Sequence, residues 1–174
     1  MKSLNVLLSL ALCLAFLVSC SEEEDKIDPN ASLIGSWNLI DMQGEGSSSV
    51  EYNGQETTSE FTVTGKDLAL STEFTEEPNN YTSSGSYTAM MKVSANGQTQ
   101  ETEIPMMPFI LGGTWEQDGD KLIITTAGQE TQEATIVELS EKVLKLKYDY
   151  EYDMSAGGMS TVYSIKGTYE FERK

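Results

Sequence analysis

Residues 144–154 carry the most regular alternation of hydrophobic and polar positions in the chain. Every second residue from Leu144 to Met154 is a leucine, tyrosine or methionine, and every residue between them is a lysine, aspartate or glutamate. Because successive side chains of a strand point to opposite faces of a sheet, this period of two predicts a strand with one dry and one solvated face. The glycine-rich residues 155–158 suit a turn. A return strand over Met159–Phe171 would complete a long C-terminal hairpin.

The rest of the chain after residue 32 is typical of short strands and turns. Runs rich in Thr, Val, Ile, Tyr and Phe alternate with turn residues, without a sustained helical period. The sequence Asp118-Gly119-Asp120 predicts a tight hairpin turn. Glu76–Asn80 and Asn96-Gly97 predict further turns, and Pro105 and Pro108 predict a sheet edge or corner. The predicted strands are residues 37–43, 59–64, 67–74, 86–94, 98–106, 114–117, 121–126 and 133–139. This pattern predicts an all-β fold, either a sandwich or a closed barrel.

The N-terminal segment has the pattern of a secretory signal. Lys2 supplies the positive end, Val6–Val18 is apolar except at Ser9, and the segment is too short for a membrane span of about 20 residues. The run Leu17-Val18-Ser19-Cys20 resembles the lipobox of bacterial lipoproteins. This resemblance implies removal of residues 1–19, a diacylglyceryl group on the Cys20 sulfur and an acyl chain such as palmitate on its amino group. The alternative is an ordinary signal peptide cleaved elsewhere, with Cys20 incidental.

Residues 20–31 are predicted to form an acidic tether between the lipid and the folded domain. Residues 21–31 could extend to at most about 40 Å. The run Glu22-Glu23-Glu24-Asp25 is explained by a solvated linker, but it also resembles the signal that exports lipoproteins of Bacteroidota to the outer face of the outer membrane. The expected location is therefore the cell outer membrane, reached through the lipid, with surface display as the finer expectation.

Composition excludes several classes of function. The chain has 28 acidic and 11 basic residues, and removal of Lys2 changes the net charge from −17 to about −18, which repels nucleic acid. There is no histidine, and of the two cysteines Cys13 leaves with the signal while Cys20 carries lipid. Zinc sites of His and Cys, Ser-His-Asp triads and Cys-His nucleophiles are thereby excluded. No metal, cofactor or enzymatic activity is predicted.

Four short segments resemble the small lipocalin-like lipoproteins of Bacteroidota: Ser32–Ile40 with Gly35-Ser36-Trp37, Gly113–Ile124 with Gly113-Thr114-Trp115, Ile136–Ser140 and Gly167–Phe171. The resemblance implies that residues 32–174 form a lipocalin-like domain, an antiparallel up-and-down β-barrel. It also implies a short helical turn before Trp37 and a basic residue after the last strand that packs on the Trp37 ring. Gly35, Trp37 and Arg173 are the structural residues expected at the closed end of the barrel, which the Trp37 ring can plug, unless Arg173 is a frayed terminal charge.

A lipocalin-like barrel can hold one small ligand inside. The candidate ligand-binding residues are Tyr148, Tyr150, Tyr152, Met154, Met159 and Tyr163, because tyrosine and methionine suit irregular apolar sites. The alternative is that the same side chains fill a packed core. Asp149, Glu151 and Asp153 share the wet face and could bind calcium, but the lysines beside them and the absence of a calcium-loop spacing favour a plain solvated face.

The predicted function is binding of a small apolar or amphipathic ligand by a membrane-anchored, non-enzymatic lipoprotein. The alternative is an interaction protein or accessory subunit of a cell-envelope assembly, with a filled barrel and an unknown protein partner. A cavity of a few hundred Å³ favours the first function. A packed interior with an exposed apolar patch favours the second.

Overall fold

The computed structural model describes residues 26–52, 54–95, 98–106, 112–126, 131–153 and 160–174. Within the strands, the side chains of Tyr52, Ala95, Pro105, Met106, Tyr150 and Tyr152 also lie outside the description. The predictions for the signal segment, Cys20, the acidic run, Met154 and Met159 fall on residues outside these ranges.

The described residues form twelve β-strands and no helix. Their bounds are β1 (Lys26–Ile27), β2 (Gly35–Tyr52), β3 (Gln55–Lys66), β4 (Ser71–Thr75), β5 (Asn80–Ser84), β6 (Tyr87–Ala95), β7 (Gln98–Met106), β8 (Gly112–Asp118), β9 (Lys121–Thr126), β10 (Gln132–Leu139), β11 (Val143–Asp153) and β12 (Ser160–Arg173). The predicted bounds of β7 and β9 are confirmed, and the all-β prediction is confirmed as a whole.

Eight strands close into an antiparallel barrel. Around its wall the order is β2, β4, β5, β8, β9, β10, β11 and β12, and the wall closes because β12 pairs with β2. Successive wall strands are neighbours both in the chain and in space, apart from the excursion through β3, β6 and β7. The predicted up-and-down β-barrel is therefore confirmed.

A sheet extension continues one side of the barrel wall beyond its closed part. The far half of β2 leaves β4 and pairs with β3 over Gln43–Tyr52, β3 pairs with β6, and β6 pairs with β7. The predicted strand over residues 67–74 is wrong in its first half, because residues 67–70 leave the ladder and only Ser71–Thr75 is paired. Breaks at residues 67–70 and 85–86 separate the barrel strands β4 and β5 from the extension strands β3 and β6.

The C-terminal hairpin forms as the alternating pattern predicts. Strand β11 pairs with β12 from Val143↔Glu172 to Asp153↔Val162. Leu144, Leu146 and Tyr148 are buried, whereas Lys147, Asp149, Glu151 and Asp153 are exposed. The Asp118-Gly119-Asp120 turn also forms, and Gly119 has the positive φ of 63° that such a turn favours.

Part of the predicted tether packs on the barrel. Strand β1 pairs in parallel with the end of β10, and the amide of Asp28 donates a hydrogen bond to the carbonyl of Leu139 at 2.9 Å. Ile27 and Ala31 contact the core. Residues 26–31 of the predicted tether therefore belong to the folded body.

The segment before Trp37 differs from the expected helical turn. Leu33 lies at a bend rather than in a helix, and the Ile34 amide donates to the Ser32 hydroxyl at 3.1 Å. The bend places Leu33 and Trp37 side by side in the core. Among the described residues, no helix has the length and apolar character needed to cross a membrane.

Candidate functional site

A plug centred on Trp37 fills one end of the barrel. The Trp37 side chain is fully buried, and its Nε1 donates to the carbonyl of Leu33 at 2.8 Å. Aliphatic side chains from β9, β10 and β11 pack around it with less than 2% exposure; they are Leu122, Ile136, Leu139 and Leu144. This end of the barrel is therefore filled, as the opening Gly-x-Trp segment suggested.

Arg173 holds the plug in place. Its guanidinium carbon lies 4.1 Å from the centroid of the Trp37 ring, so the expected cation–π contact is present. The same guanidinium donates to three backbone carbonyls: Ser32 at 2.5 Å, Ile34 at 2.7 Å and Glu141 at 2.7 Å. Gly35 makes room for it, because a Cβ there would lie 2.6 Å from Nη1. Arg173 thus ties the N-terminal bend and the β10–β11 turn to the last strand.

A cavity of about 150 Å³ lies in the barrel next to this plug. Seven strands and one loop contribute its lining residues, so the cavity forms only when the barrel wall closes. The aromatic lining side chains are Phe74, Tyr81, Tyr87, Tyr148, Tyr169 and Phe171. The other lining residues are Leu70, Thr72, Ser83, Ile124, Gln132, Glu133, Ala134 and Leu146.

The hydroxyl groups around the cavity bond one another. Thr72 and Ser83 share a hydrogen bond of 2.8 Å, and the Tyr81 hydroxyl lies 2.7 Å from Oγ1 of Thr126. A third pair joins the side chains of Tyr87 and Tyr169. In the described part of the chain, every buried side-chain nitrogen or oxygen has a partner. A ligand in this cavity therefore does not have to satisfy these protein groups.

Burial favours the neutral phenol at Tyr81 and Tyr87. It raises the pKa of Tyr81 and of Tyr87 above the usual value of 10.0, and the hydrogen bonds to Thr126 and Tyr169 oppose this shift. A raised pKa in the folded state favours the protonated phenol. The stability that each of these tyrosines contributes in this way is complete below pH 10 and is lost as the pH rises through its folded-state pKa.

Because of this shift, we expect the unfolding free energy of the unmodified protein to fall above about pH 10. The fall should be smaller in Tyr81→Phe. Phenylalanine keeps the ring and removes the ionising group. At pH 7 the variant is expected to lose about 1 kcal/mol with the hydrogen bond to Thr126. Urea unfolding of both proteins from pH 7 to pH 11 measures the difference. An equally steep fall in the variant would assign the pH dependence to other groups.

Tyr148 enters the cavity across two neighbouring strands. A Cβ on Gly44 would lie 2.6 Å from the hydroxyl oxygen of Tyr148, and a Cβ on Gly167 would lie 2.5 Å from it. The phenol therefore occupies space that these two glycines leave open. Its ring packs on that of Tyr169, with centroids 4.9 Å apart. Tyr148 is the one predicted ligand residue that the structure places in the cavity lining.

Of the other predicted ligand residues, the structure describes the side chain of Tyr163 alone. Tyr163 pairs with Tyr152 in the sheet extension and is not a lining residue, and Tyr150 is described only by its backbone pairing with Ile165. Met154 and Met159 lie outside the described residues. The lining residues that the sequence did not identify as a site include Phe74, Tyr81 and Tyr87, which β4, β5 and β6 contribute.

A second, larger concavity of about 580 Å³ lies on the polar face of the sheet extension. Serine, threonine and charged side chains line it together with Gly46 and the buried Phe61, and charges pair across strands, as Lys166 does with Glu45 at 3.1 Å. Lys92 pairs with Glu101 at 2.9 Å beside it, and all four side chains are at least half exposed. Paired and exposed charges are typical of a solvated sheet face. Within the described ranges no group of three metal-ligating side chains is brought together.

The barrel, its plug and its internal cavity define a lipocalin-type architecture, and the sequence comparison agrees. The lipocalin-like domain family matches residues 33–146. Because this match covers more than half of the chain, the protein belongs to the lipocalin-like domain family. No curated protein and no solved structure matches the chain.

Proposed function

We propose that this protein is a lipoprotein of the bacterial outer membrane, anchored through Cys20, whose barrel binds one small apolar or amphipathic molecule. The observation that carries the ligand-binding part is the cavity of about 150 Å³ lined by six aromatic side chains. Membership of the lipocalin-like family supports a capacity for ligand binding. The lipobox-like segment before Cys20 supports the anchor, and the acidic residues after it support surface display.

The cavity volume of about 150 Å³ is below the few hundred Å³ expected for a fully enclosed ligand, so it limits the part of the ligand that is enclosed. Drug-sized ligands occupy pockets of about 300–1,000 Å³, whereas an apolar cavity of about 150 Å³ is large enough for benzene. One ring or a short alkyl segment therefore fits. The exposed Gln132 and Glu133 at the rim of the cavity would let the polar part of an amphipathic ligand remain in water.

The proposed role is binding without chemistry. A catalytic hydroxyl needs a neighbouring base or a lowered pKa. Here the lining hydroxyls bond other hydroxyls, and burial raises the pKa of Tyr81 and Tyr87. These groups are therefore suited to shaping an apolar site.

Filling the cavity provides the test. Ala134 is half-buried in the lining, so Ala134→Leu would occupy part of the 150 Å³. We expect it to weaken binding of benzyl alcohol at least about tenfold, equivalent to about 1.4 kcal/mol. The unfolding free energy should change by less than about 1.5 kcal/mol, because the added groups enter existing space. Calorimetric titration measures the binding and urea unfolding measures the stability.

Thr135→Leu is the matched control, since Thr135 is the next residue of β10 and does not line the cavity. It should bind benzyl alcohol like the unmodified protein. Absence of benzyl alcohol binding to the unmodified barrel would contradict the ligand-binding proposal.

The sheet extension favours the second candidate function, an accessory subunit of a cell-envelope assembly. In the described part of the chain, β7 pairs only with β6, and an edge strand offers unpaired backbone groups to another protein. Native mass spectrometry of the protein extracted from its own membrane distinguishes the two functions. A retained protein subunit supports the assembly, and a retained small molecule supports the barrel site.

A further inference from the structure

None of the described basic residues lines the barrel cavity. Ten of the eleven basic residues follow Cys20, because only Lys2 precedes it, and all ten belong to the described residues. The internal segments outside the described ranges, residues 53, 96–97, 107–111, 127–130 and 154–159, contain no lysine or arginine. From Lys26 onward the chain thus offers no cation in the cavity lining to pair with an anionic ligand.

The acidic residue in the cavity lining does not make the cavity favourable for an anionic ligand. Glu133 contributes to the lining, but its Oε1 lies 2.7 Å from Nζ of Lys121, and both side chains are half exposed. The other lining side chains are aliphatic, aromatic, hydroxyl or amide groups. A buried charge without a partner is strongly disfavoured in such surroundings. The net charge of −17 adds a repulsive potential for anions.

From this placement we infer that the cavity selects uncharged ligands and rejects carboxylates of the same size. This inference rests on the proposed ligand-binding function and narrows its ligand class. Aromatic acids such as benzoate are excluded as enclosed ligands, whereas neutral alcohols, phenols and hydrocarbons are accepted. The hydroxyls of Thr72 and Ser83 agree with this class, because each already has a hydrogen-bond partner in the other.

Benzyl alcohol and benzoate test the inference, since they share a ring and differ in charge. At pH 7 we expect benzyl alcohol to bind at least about tenfold more tightly than benzoate, because the carboxylate loses its hydration without gaining a partner. Calorimetric titration of the full-length protein measures both dissociation constants. Equal or tighter binding of benzoate overturns the inference and leaves the proposed function intact. Binding of neither compound overturns the proposed function itself.

A single added cation should reverse the selection. Gln132 is exposed at the start of β10 and lines the cavity, so Gln132→Lys places an ammonium group at its rim without disturbing the core. We expect the affinity for benzoate relative to that for benzyl alcohol to rise at least about fivefold. Gln55→Lys is the control, because Gln55 is exposed on β3, away from the cavity, and the change in net charge is identical. An equal rise in benzoate affinity in both variants would assign the effect to net charge and overturn the role of the cavity lining.

Discussion

Replacement of Trp37 by alanine is expected to reduce the unfolding free energy by about 3–5 kcal/mol. The ring is fully buried at the filled end of the barrel, where Leu33 accepts its indole hydrogen bond and Arg173 covers its face. Its removal leaves a cavity and also removes the surface on which Arg173 packs. Urea unfolding followed by circular dichroism measures the loss.

Trp115→Ala is the matched control for the loss of a tryptophan. Trp115 is half-buried, packs edge-on against Phe74 with centroids 5.9 Å apart, and donates to the carbonyl of Thr75 at 3.0 Å. Since less of its ring leaves water on folding, the expected loss is no more than about 2 kcal/mol. If Trp37→Ala cost less than Trp115→Ala, the plug would not be the main support of the closed end.

Replacement of Cys20 by alanine is expected to transfer the protein from the membrane fraction to the soluble fraction. Two or three acyl chains, at about 0.8 kcal/mol per buried methylene, make the proposed anchoring stable, and alanine offers no sulfur for the diacylglyceryl group. Fractionation after high-salt washing measures retention. The isolated variant should unfold at the same urea concentration as the native domain, because the described barrel contacts begin only at Lys26.

Cys13→Ala controls for the loss of a cysteine, since Cys13 lies inside the apolar signal segment and is removed with it under the proposed processing. This variant should stay with the membrane. Continued membrane retention of Cys20→Ala would rule out the lipid anchor at this residue.

Local sequence patterns predicted the strands and turns that depend mainly on neighbouring residues. The alternation in residues 144–153 is the direct result of one buried and one solvated face, and Asp118-Gly119-Asp120 forms a turn through its own backbone preferences. Strand β2 extends nine residues beyond its predicted end at Gln43, although Gly44–Ser49 is typical of a loop. It is extended because β3 and β12 supply hydrogen bonds on both of its edges. Such pairing involves residues distant in sequence, so a local pattern does not contain it.

The cavity was the least predictable feature for the same reason. Strand β5 has one large apolar residue, Tyr81, among polar neighbours, and its sequence did not indicate a strand. Yet Tyr81 is only 2% exposed, because ring closure brings β5 opposite the C-terminal hairpin. The predicted tyrosine row followed one strand along its length, whereas the cavity takes Tyr148 from that row and completes its lining from other strands. By contrast, the contact of Arg173 with Trp37 was predictable, since the family resemblance links these two positions.

The pairing of β2 with β12 also determines when the protein can fold. It joins Trp37 to Arg173, so the barrel closes through residues near opposite ends of the domain sequence. Contacts of such long sequence separation form late and slowly, because chain entropy is lost before they contribute. A chain that emerges from a ribosome or a translocation pore N-terminus first therefore keeps an open barrel wall until its last strand has emerged. Until that moment the chain has neither a finished core nor a cavity, which is compatible with the proposed export in an unfolded form.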